Sequence, residues 1–340
     1  MSGGVDSSVA AALLQRQGHE VVGVTMRLWG GESDTGCCSV ADVDDARRVA
    51  QQLGIDHLVF NFTDDFHAHV VDPYVHDHAA GRTPNPCVEC NRHLKFDRLL
   101  ARADLLGFDA VATGHHARIE RVDGAWRVVR GADTAKDQSY VVHMLGQGAL
   151  ARTLFPVGDR TKALVRALAV ELGLRTADKP DSQDVCFITV RGRAAFLAAR
   201  IPLRSGSVVD THGAAVGTVD AIELVTIGQR KGVGGDGGGD RRYVVDVDVV
   251  GSRVVVGSAD DLLVPESFVH SMTWGVAPAS GEALAQVSAH GAVAPVMVEA
   301  VDAAIVRLRW QEPHRRVAPG QSVVLYDMGN RWVLGGGTAA

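Results

Sequence analysis

Two cysteines lie three residues apart on a segment that prolines stiffen, just before a stretch with helical periodicity. Residues 83–91 read Thr-Pro-Asn-Pro-Cys-Val-Glu-Cys-Asn, which places Cys87 and Cys90 in a Cys-x-x-Cys arrangement. The positive end of a helix lowers the pKa of a nearby thiol and so raises the fraction of reactive thiolate. The alternative is half of a structural zinc site, but the sequence holds no second Cys-x-x-Cys to complete it. The pair therefore predicts thiol chemistry.

The remaining cysteines fall into two groups. Cys186 belongs to the sequence Asp-Ser-Gln-Asp-Val-Cys-Phe over residues 181–187. A lone buried cysteine is usually packing, but polar neighbours favour a chemical role here. These neighbours are Ser182, Gln183 and Asp184. Cys37 and Cys38 are adjacent, and adjacent thiols rarely bridge each other without strain, so we expect a non-catalytic role for both.

A glycine-rich loop followed by an apolar run opens the chain. Residues 2–8 read Ser-Gly-Gly-Val-Asp-Ser-Ser and lead into Val-Ala-Ala-Ala-Leu-Leu. Two adjacent glycines let backbone N–H groups surround an anion, and a following helix adds its positive N-terminal end. No Gly-Lys-Ser/Thr closes the loop, so it is not a Walker loop. Without that lysine, cleavage of a nucleotide between its α- and β-phosphates is favoured over γ-phosphoryl transfer; an ordinary capped turn is the alternative.

The position of this loop in the chain is unusual. A phosphate loop normally follows a buried β-strand that fixes its place, and here only Met1 precedes it. We expect that translation starts a few residues upstream and that the sequence is clipped; the alternative is a version that lacks its first strand.

The composition is that of a soluble protein with unevenly distributed charge. Its 340 residues suffice for two or three domains, and 46% hydrophobic with 22% charged residues is ordinary for a globular chain. There is no apolar stretch of membrane-spanning length and no signal-peptide pattern, and five cysteines then favour reduced thiols. We predict a cytoplasmic enzyme without a membrane partner.

The net charge is −6, yet residues 151–204 hold ten basic and five acidic residues. Such a segment is either a polyanion-binding surface or a solvated helix face.

Strand-like and helix-like segments alternate over the first 150 or so residues. Residues 21–26, 57–62 and 110–114 have the character of strands, and residues 42–53 and 95–106 have helical spacing. This alternation predicts an α/β fold with a doubly wound parallel sheet, whose ligands bind at the carboxyl ends of the strands.

The rest of the chain has a different pattern. Residues 117–122 and 126–129 form a predicted hairpin around Asp-Gly, and residues 161–172 form a clear amphipathic helix. From about residue 205, short β-rich runs broken by Gly, Pro and Asp suggest small β-barrels or sandwiches.

Blocks of sequence along nearly the whole chain resemble the tRNA-specific 2-thiouridylases, which replace the C2 oxygen of the wobble uridine with sulfur. Such blocks in the family's order are far more specific than any one of them. They are residues 2–8, 36–39, 83–96, 112–115, 136–140, 182–187, 226–232 and 333–337. The resemblance implies an α/β ATP-pyrophosphatase domain with the catalytic cysteines over residues 1–200, a small central β-rich domain over 201–262 and a C-terminal β-barrel over 263–340.

The resemblance implies that ATP binds at the opening loop and adenylates the uracil. The C2 oxygen attacks the α-phosphate and pyrophosphate leaves, because a carbonyl oxygen is a poor leaving group until AMP is attached to it. The resemblance also implies that Asp6 helps to hold Mg²⁺. The implied ATP contacts are Ser2, Gly3, Gly4, Val5, Asp6, Ser7, Met26 and Gly114.

The resemblance assigns the sulfur chemistry to two cysteines. A persulfide forms on Cys186, Cys90 is the nucleophile that attacks or resolves it, and a Cys90–Cys186 disulfide remains to be reduced. The implied partners are tRNA and a sulfur donor such as a cysteine desulfurase or a relay protein. The implied tRNA contacts are Asn85, Pro86 and Cys87 at the extruded base, with Lys136, Asp137, Gln138, Arg309 and Trp310 elsewhere; the match at Arg309 and Trp310 is weak.

Cys87 departs from the family pattern, since some members carry Asp there, and this leaves a second sulfur chemistry open. Cys87, Cys90 and Cys186 are enough thiolates for a [4Fe–4S] cluster with one open iron that carries sulfide; we place the disulfide route ahead of it.

Two other functions stay open. One is an ATP-pyrophosphatase synthetase for a small molecule, which needs neither cysteines nor a basic surface. The other is a tRNA-binding or sulfur-relay module without catalysis.

Overall fold

The computed structural model describes residues 1–29, 40–181, 185–188, 192–233, 241–302 and 305–340. Five residues with predicted roles lie outside these ranges: Cys37, Cys38, Ser182, Gln183 and Asp184. Within the described ranges, none of the helices is long and apolar enough to cross a membrane.

Helices dominate the first two hundred residues. The α-helices are α1 Val5–Arg16, α2 Val40–Leu53, α3 Thr63–Phe66, α4 Asp72–Ala79, α5 Pro86–Glu89, α6 Leu99–Leu106, α7 Gln147–Leu150, α8 Lys162–Glu171 and α9 Gly192–Ala198. Two π-helices cover His67–Val71 and Cys90–Arg98, and 3₁₀ turns cover Ser139–Val142, Ile222–Leu224 and Asp260–Leu262.

Strands become frequent after residue 200. In chain order they are β1 Gly23–Arg27, β2 His57–Asn61, β3 Val111–Ala112, β4 Ala117–Val122, β5 Ala125–Arg130, β6 Thr153–Leu154, β7 Gly206–Asp210, β8 Ala215–Val219, β9 Tyr243–Asp248, β10 Arg253–Gly257, β11 Leu263–Trp274, β12 Gly281–Gln286, β13 Ala294–Ala300, β14 Ile305–Arg315, β15 Ser322–Tyr326 and β16 Val333–Ala339.

Parallel strand pairing in the N-terminal region confirms the predicted α/β class. β1 pairs in parallel with β2, with Gly23 opposite His57, and β3 pairs in parallel with β6. Parallel neighbours need a crossover connection, and between β1 and β2 the crossover contains α2. The described residues record these pairs as two separate two-stranded sheets instead of one continuous sheet.

Apolar packing between α1 and α8 brings the opening loop to the start of a distant helix. Val5, Val9 and Leu13 share one core cluster with Val165 and Ala169. The residues of α1 recur every four positions and so form one face of the helix. The helices α1 and α8 contact each other, and Lys162 at the start of α8 lies 2.6 Å from Asp6 in the first turn of α1.

The helix predicted over residues 95–106 begins earlier and in another form. Cys90–Arg98 is a π-helix that continues into α6, and Gly107 ends α6 in the left-handed conformation at φ 76°. π-Helices are rare and frequently occur at functional sites. The apolar pattern of so short a segment does not distinguish a π-turn from an α-turn, so the sequence predicts only that a helix forms.

Two β-structures follow the α/β region. The central sheet has the order β8-β7-β10-β9, in which β7 and β10 are parallel and the other pairs antiparallel. The C-terminal strands close into a six-stranded barrel of order β11-β14-β13-β12-β15-β16. Closure leaves no unpaired sheet edge, and it confirms the predicted C-terminal β-barrel.

Buried hydrogen bonds attach this barrel to the α/β region. The Tyr140 hydroxyl donates to the Ser322 carbonyl at 2.7 Å, and the hydroxyls of Ser139 and Tyr326 lie 3.0 Å apart. The Arg130 guanidinium covers the Tyr326 ring at 3.6 Å from its centroid. Buried polar groups that satisfy one another across an interface fix its register, so the barrel holds residues 139–143 in place.

The glycines of β16 let the barrel approach this segment closely. A Cβ atom on Gly336 would lie 2.4 Å from His143 Cδ2 and 2.9 Å from the Val323 carbonyl oxygen. Only glycine fits between a buried ring and a backbone carbonyl at such distances.

Gly336→Ala is expected to destabilise the protein by about 1–3 kcal/mol, because the added methyl group forces the strand away from His143. Thermal unfolding followed by circular dichroism measures the loss. Gly148→Ala is the matched control: it lies in α7 with nothing within 4 Å of its Cβ direction, so its melting temperature should stay unchanged or rise. Equal melting temperatures for the two variants would contradict the close-approach argument.

His143 is buried as the neutral imidazole. Burial lowers its pKa to about 4; the hydrogen bond from Nδ1 to the Tyr140 carbonyl opposes this shift, and the positive charge of Arg92 adds to it. The folded pKa therefore lies below the ordinary value of 6.5. The unfolded chain binds the proton first, so stability is lost as the pH falls from 6.5 towards 4.

His143→Gln is expected to flatten the pH dependence of stability in this window, by about 1 kcal/mol per pH unit, because the substituted residue no longer takes up a proton on unfolding. Urea unfolding at several pH values between 6.5 and 4.5 measures the slope. His76→Gln, an exposed histidine of α4, should leave the slope unaltered. A wild-type slope in His143→Gln would refute the assignment.

Candidate active site

The opening loop has the backbone that its glycines predict. Gly3 takes a φ of +69°, and a Cβ atom there would lie 2.5 Å from the Asp42 carbonyl oxygen at the start of α2. Gly4 is the N-cap of α1, and the backbone N–H of Ser2 donates to Ser7 Oγ at 3.1 Å. The first N–H groups of a helix have no partner within the helix, so this turn presents donors suited to phosphate oxygens.

Gly114 lies directly against this loop, as a shared site requires. A Cβ atom on Gly114 would be 2.7 Å from the Asp6 carbonyl carbon and 2.7 Å from the Ser7 nitrogen. The other distant candidate, Met26 of β1, packs instead against the apolar cluster that contains Cys90.

Asp6, in the first turn of α1, is held as a carboxylate. Its oxygens accept hydrogen bonds from Lys162 Nζ at 2.6 and 2.7 Å and lie 3.1 Å from His116 Nε2. Burial opposes the charge, but the hydrogen bonds from His116 and Lys162 outweigh it and lower the pKa of the carboxyl. The negative charge also suits the positive end of α1.

Lys162 is a candidate site residue that the loop sequence does not reveal. It is the first residue of α8, whose N-cap Thr161 accepts a hydrogen bond from the Leu164 N–H. Its side chain is only 11% exposed, and its ammonium group bridges Asp6 and Asp181. The loop itself carries no lysine, yet the fold supplies one from 156 residues away. The only signal in the sequence is its place at the start of an amphipathic helix in the basic segment.

A second carboxylate extends this arrangement. Asp181 accepts hydrogen bonds from Lys136 Nζ at 2.9 Å and Arg166 Nη2 at 2.7 Å, and it lies 2.9 Å from Lys162 Nζ. Burial opposes its charge, but the hydrogen bonds and positive charges of Lys136 and Lys162 outweigh that effect and drive the pKa of Asp181 far below its usual range.

The predicted Mg²⁺ role of Asp6 finds partial support in this geometry. Asp6 offers carboxylate oxygens, but Lys162 and His116 contact them, and no group of three acidic, histidine or cysteine side chains in the described ranges could hold a metal ion. Mg²⁺ usually takes one or two carboxylates together with substrate phosphates. The residues therefore fit an ion that arrives with the nucleotide better than one resident in the protein.

The structure places Cys90 and Cys186 at one apolar cluster. Cys90 is buried at the start of the π-helix, within a cluster that includes Phe66, Leu94 and Phe187, and Cys186 packs against the same cluster. Both residues are thiols. Their separation in the sequence gives no reason to expect a shared cluster, whereas the family resemblance, which pairs them in sulfur transfer, does.

Cys87 and Cys90 have different environments, although they are three residues apart. Asn85 caps α5 by accepting from the Cys87 N–H at 3.2 Å, so the first helical turn contains Cys87, which is exposed. Cys90 lies one turn later. The sequence places the pair just before a helix, whereas in the structure both cysteines lie within helical segments, because α5 starts at Pro86 and the π-helix follows from Cys90.

The three cysteines do not form a cluster-binding set in this conformation. Cys87 is exposed, Cys90 is buried and Cys186 is intermediate. The described part of the chain holds no group of three Cys, His, Asp or Glu side chains with the geometry of a metal site. The residues present thus do not fit the [4Fe–4S] alternative as they stand.

The predicted tRNA motif of residues 136–138 is partly used inside the protein. Asp137 is 7% exposed and accepts from Arg130, from the Gly131 N–H and from the Ser139 hydroxyl, each at 2.7 Å. Gln138 Oε1 accepts from the His116 N–H at 2.9 Å. Lys136 is the most exposed of the three residues: 46% of its side chain is exposed, although it forms an ion pair with Asp181. A tRNA contact by each residue stays a prediction.

Arg309 and Trp310 of β14 point in opposite directions. The Trp310 indole is buried in the barrel core, donates to Ser267 Oγ at 3.0 Å and stacks on His314 at 4.1 Å. Arg309 is exposed and lies 3.7 Å from Glu299. Of this pair, Arg309 has the side chain available to a large ligand, and its contact with tRNA also stays a prediction.

Sequence comparisons match the three structural parts in order. Family models match residues 1–190 (tRNA methyl transferase HUP domain), 194–258 (tRNA methyl transferase PRC-barrel domain) and 266–339 (aminomethyltransferase beta-barrel domain). The fold and the loop thus define a HUP-domain protein with two appended β-domains.

Curated relatives extend over the whole chain. The tRNA-specific 2-thiouridylase MnmA of Roseiflexus castenholzii is 45% identical over 375 residues, covering 100% of this chain and 98% of the relative. The enzyme of the same name from Mycolicibacterium smegmatis is 48% identical, and the match covers 96% of this chain and 93% of the relative. The one from Symbiobacterium thermophilum is 43% identical, and the match covers 99% of this chain and 90% of the relative. The chain belongs to the tRNA-specific 2-thiouridylase MnmA family, which confirms the resemblance found in its sequence.

Proposed function

We propose that this protein is a tRNA-uridine 2-sulfurtransferase that makes 2-thiouridine at the wobble position in two steps at one site. One observation carries the proposal: Met26, a predicted ATP contact, and Cys186 both pack against the buried cluster that contains Cys90. A predicted ATP contact and the two predicted sulfur-handling thiols thus share one region of the fold. Full-length relatives named for this reaction support the same conclusion.

The first step is adenylation at the opening loop. The N–H groups at the start of α1 bind phosphate oxygens, and Lys162 offsets the negative charge that develops as pyrophosphate leaves the α-phosphate. The uracil C2 oxygen is the nucleophile and becomes bonded to AMP. Mg²⁺, when bound with ATP, neutralises phosphate charge. Gly114 permits the close approach of its strand to the loop.

The second step transfers sulfur. The terminal sulfur of a Cys186 persulfide attacks the uracil C2 carbon, and AMP leaves with the electrons of the C–O bond. The Cys90 thiolate attacks Cys186 Sγ and breaks the S–S bond, which leaves a Cys90–Cys186 disulfide. An external thiol reductant returns both residues to thiols, and a sulfur donor such as a cysteine desulfurase or relay protein reloads Cys186. The apolar surroundings of Cys90 keep water from the adenylated base.

The other candidate functions have less support in the chain. The matching family models are described by methyl transfer, but the phosphate loop and the two cysteines serve activation and sulfur transfer. A small-molecule synthetase would use the loop without the thiols. Two measurements separate thiolation from methyl transfer and from small-molecule synthesis. Thiolation requires that pyrophosphate release depends on tRNA and that product formation depends on Cys90 and Cys186.

Cys90→Ser and Cys186→Ser are each expected to abolish sulfur incorporation into tRNA, by at least about 10³-fold, because each removes a covalent participant. Adenylation should survive in both variants, since neither thiol is needed to release pyrophosphate. The measurement pairs radiolabelled sulfur incorporation with pyrophosphate release. Thiolation by Cys186→Ser at the wild-type rate would overturn the scheme.

Cys87→Ser distinguishes the two sulfur chemistries. The persulfide route predicts that this variant keeps most of its thiolation activity, whereas a cluster held by three cysteines predicts that it loses activity and iron together. Anaerobic purification followed by iron analysis and absorbance spectroscopy provides the second measurement.

Lys162→Met is expected to lower the rate of tRNA-dependent pyrophosphate release by about 10²-fold, because the leaving group loses a fixed cation. Arg47→Gln is a control for loss of a positive charge, since Arg47 is exposed on α2 and pairs with Asp44. If Lys162→Met has a lower melting temperature than the wild type, Lys162→Arg is the second variant. It keeps the positive charge and should keep the melting temperature of the wild type. Wild-type pyrophosphate release by Lys162→Met would contradict the role of this residue.

A further inference from the structure

Three cations converge on one carboxylate beside the opening loop. Asp181 lies 2.9 Å from Lys136 Nζ, 2.9 Å from Lys162 Nζ and 2.7 Å from Arg166 Nη2. Its side chain is 28% exposed, so solvent and solutes reach the group. Cations held this close repel one another unless an anion lies between them.

These cations are fixed by other contacts as well. Arg166 donates to the carbonyls of Ala177 and Lys179 at 2.9 and 3.0 Å, and Lys162 is held by Asp6 on its other side. The backbone N–H of Lys162 also donates to the Asp133 carboxylate at 2.9 Å. The cluster of Lys136, Lys162 and Arg166 is therefore a preformed site for an anion.

The Asp181 carboxylate occupies this anion site as a phosphate would. Carboxylate and phosphate oxygens accept the same charge-assisted hydrogen bonds from ammonium and guanidinium groups. Lys162 contacts Asp6 at the loop and Asp181 on the other side, so the site lies one lysine away from the start of α1. A polyphosphate whose first phosphate rests on the loop N–H groups reaches these cations with its later phosphates.

We propose that Asp181 is an internal counter-anion which keeps Lys136, Lys162 and Arg166 in place in the empty site, and which the β- and γ-phosphates of ATP replace. After adenylation, Asp181 competes with the bound pyrophosphate for the same cations and so speeds its release. This inference rests on the proposed function, because it requires that ATP is cleaved at the loop. Asp181 is a positioning residue and does not touch the reacting atoms.

The test is the affinity for inorganic pyrophosphate with Mg²⁺, measured by calorimetry on the full chain without tRNA. Asp181→Asn keeps the shape of the side chain and removes the competing charge, so pyrophosphate should bind about tenfold more tightly than to the wild type. In steady-state assays the same variant should show a lower KM for ATP and a lower kcat, because pyrophosphate leaves more slowly. Asp178→Asn, an exposed aspartate three residues earlier, removes the same charge and should change neither value.

If Asp181 has only a structural role, its substitution does not tighten the binding of pyrophosphate. If Asp181 only orders the cations, Asp181→Asn binds pyrophosphate equally well or more weakly, and the proposal is overturned while adenylation by the wild type stands. If wild-type protein binds neither ATP nor pyrophosphate, the adenylation step itself is wrong and the inference fails with it. Asp181→Ser, a second neutral replacement, answers the question if Asp181→Asn has a reduced melting temperature.

Discussion

The ion pair between Asp6 and Lys162 is the interaction on which the rest of the site depends. It joins the first turns of two helices whose residues are 156 positions apart in the chain. Removing two charges from water is costly, and the pair offsets this cost only with good geometry and further hydrogen bonds. His116 and Asp181 supply those bonds, while the apolar faces of α1 and α8 supply the packing that holds the helices together.

This arrangement links the predicted tRNA motif to the loop by two routes. Gln138 holds the backbone of His116, whose ring contacts Asp6, and Lys136 shares Asp181 with Lys162. Connected polar networks of this kind favour one geometry because each member satisfies another. Residues 136–138 therefore shape the candidate site around Asp6, and an effect of their substitution on the proposed thiolation need not come from lost RNA contacts.

The sequence predicts the parts of this protein that repeat local rules. Gly3 and Gly4 before an apolar helix predict the loop, and alternating strands and helices predict the α/β class, because backbone freedom and hydrophobic periodicity are local properties. Lys162 and Asp181 could not be assigned in this way, since their meaning comes from a long-range ion pair. The start of a helix at Pro86, which moves Cys90 into the second turn, depends on the Asn85 cap. A Cys-x-x-Cys spacing alone does not reveal which thiol is buried.

The separation of Cys87 from Cys90 has a chemical consequence. An adenylated uracil is an activated species that water can hydrolyse, so its sulfur donor must act where water is scarce. The cluster around Cys90, with Phe66, Leu94 and Phe187, provides such surroundings, whereas the exposed Cys87 does not. A thiol that must be reloaded by another protein needs the opposite property, which is access. The half-buried Cys186 packs against the same cluster, and this combination of partial burial and partial exposure suits the role proposed for it, in which another protein reloads Cys186 with sulfur.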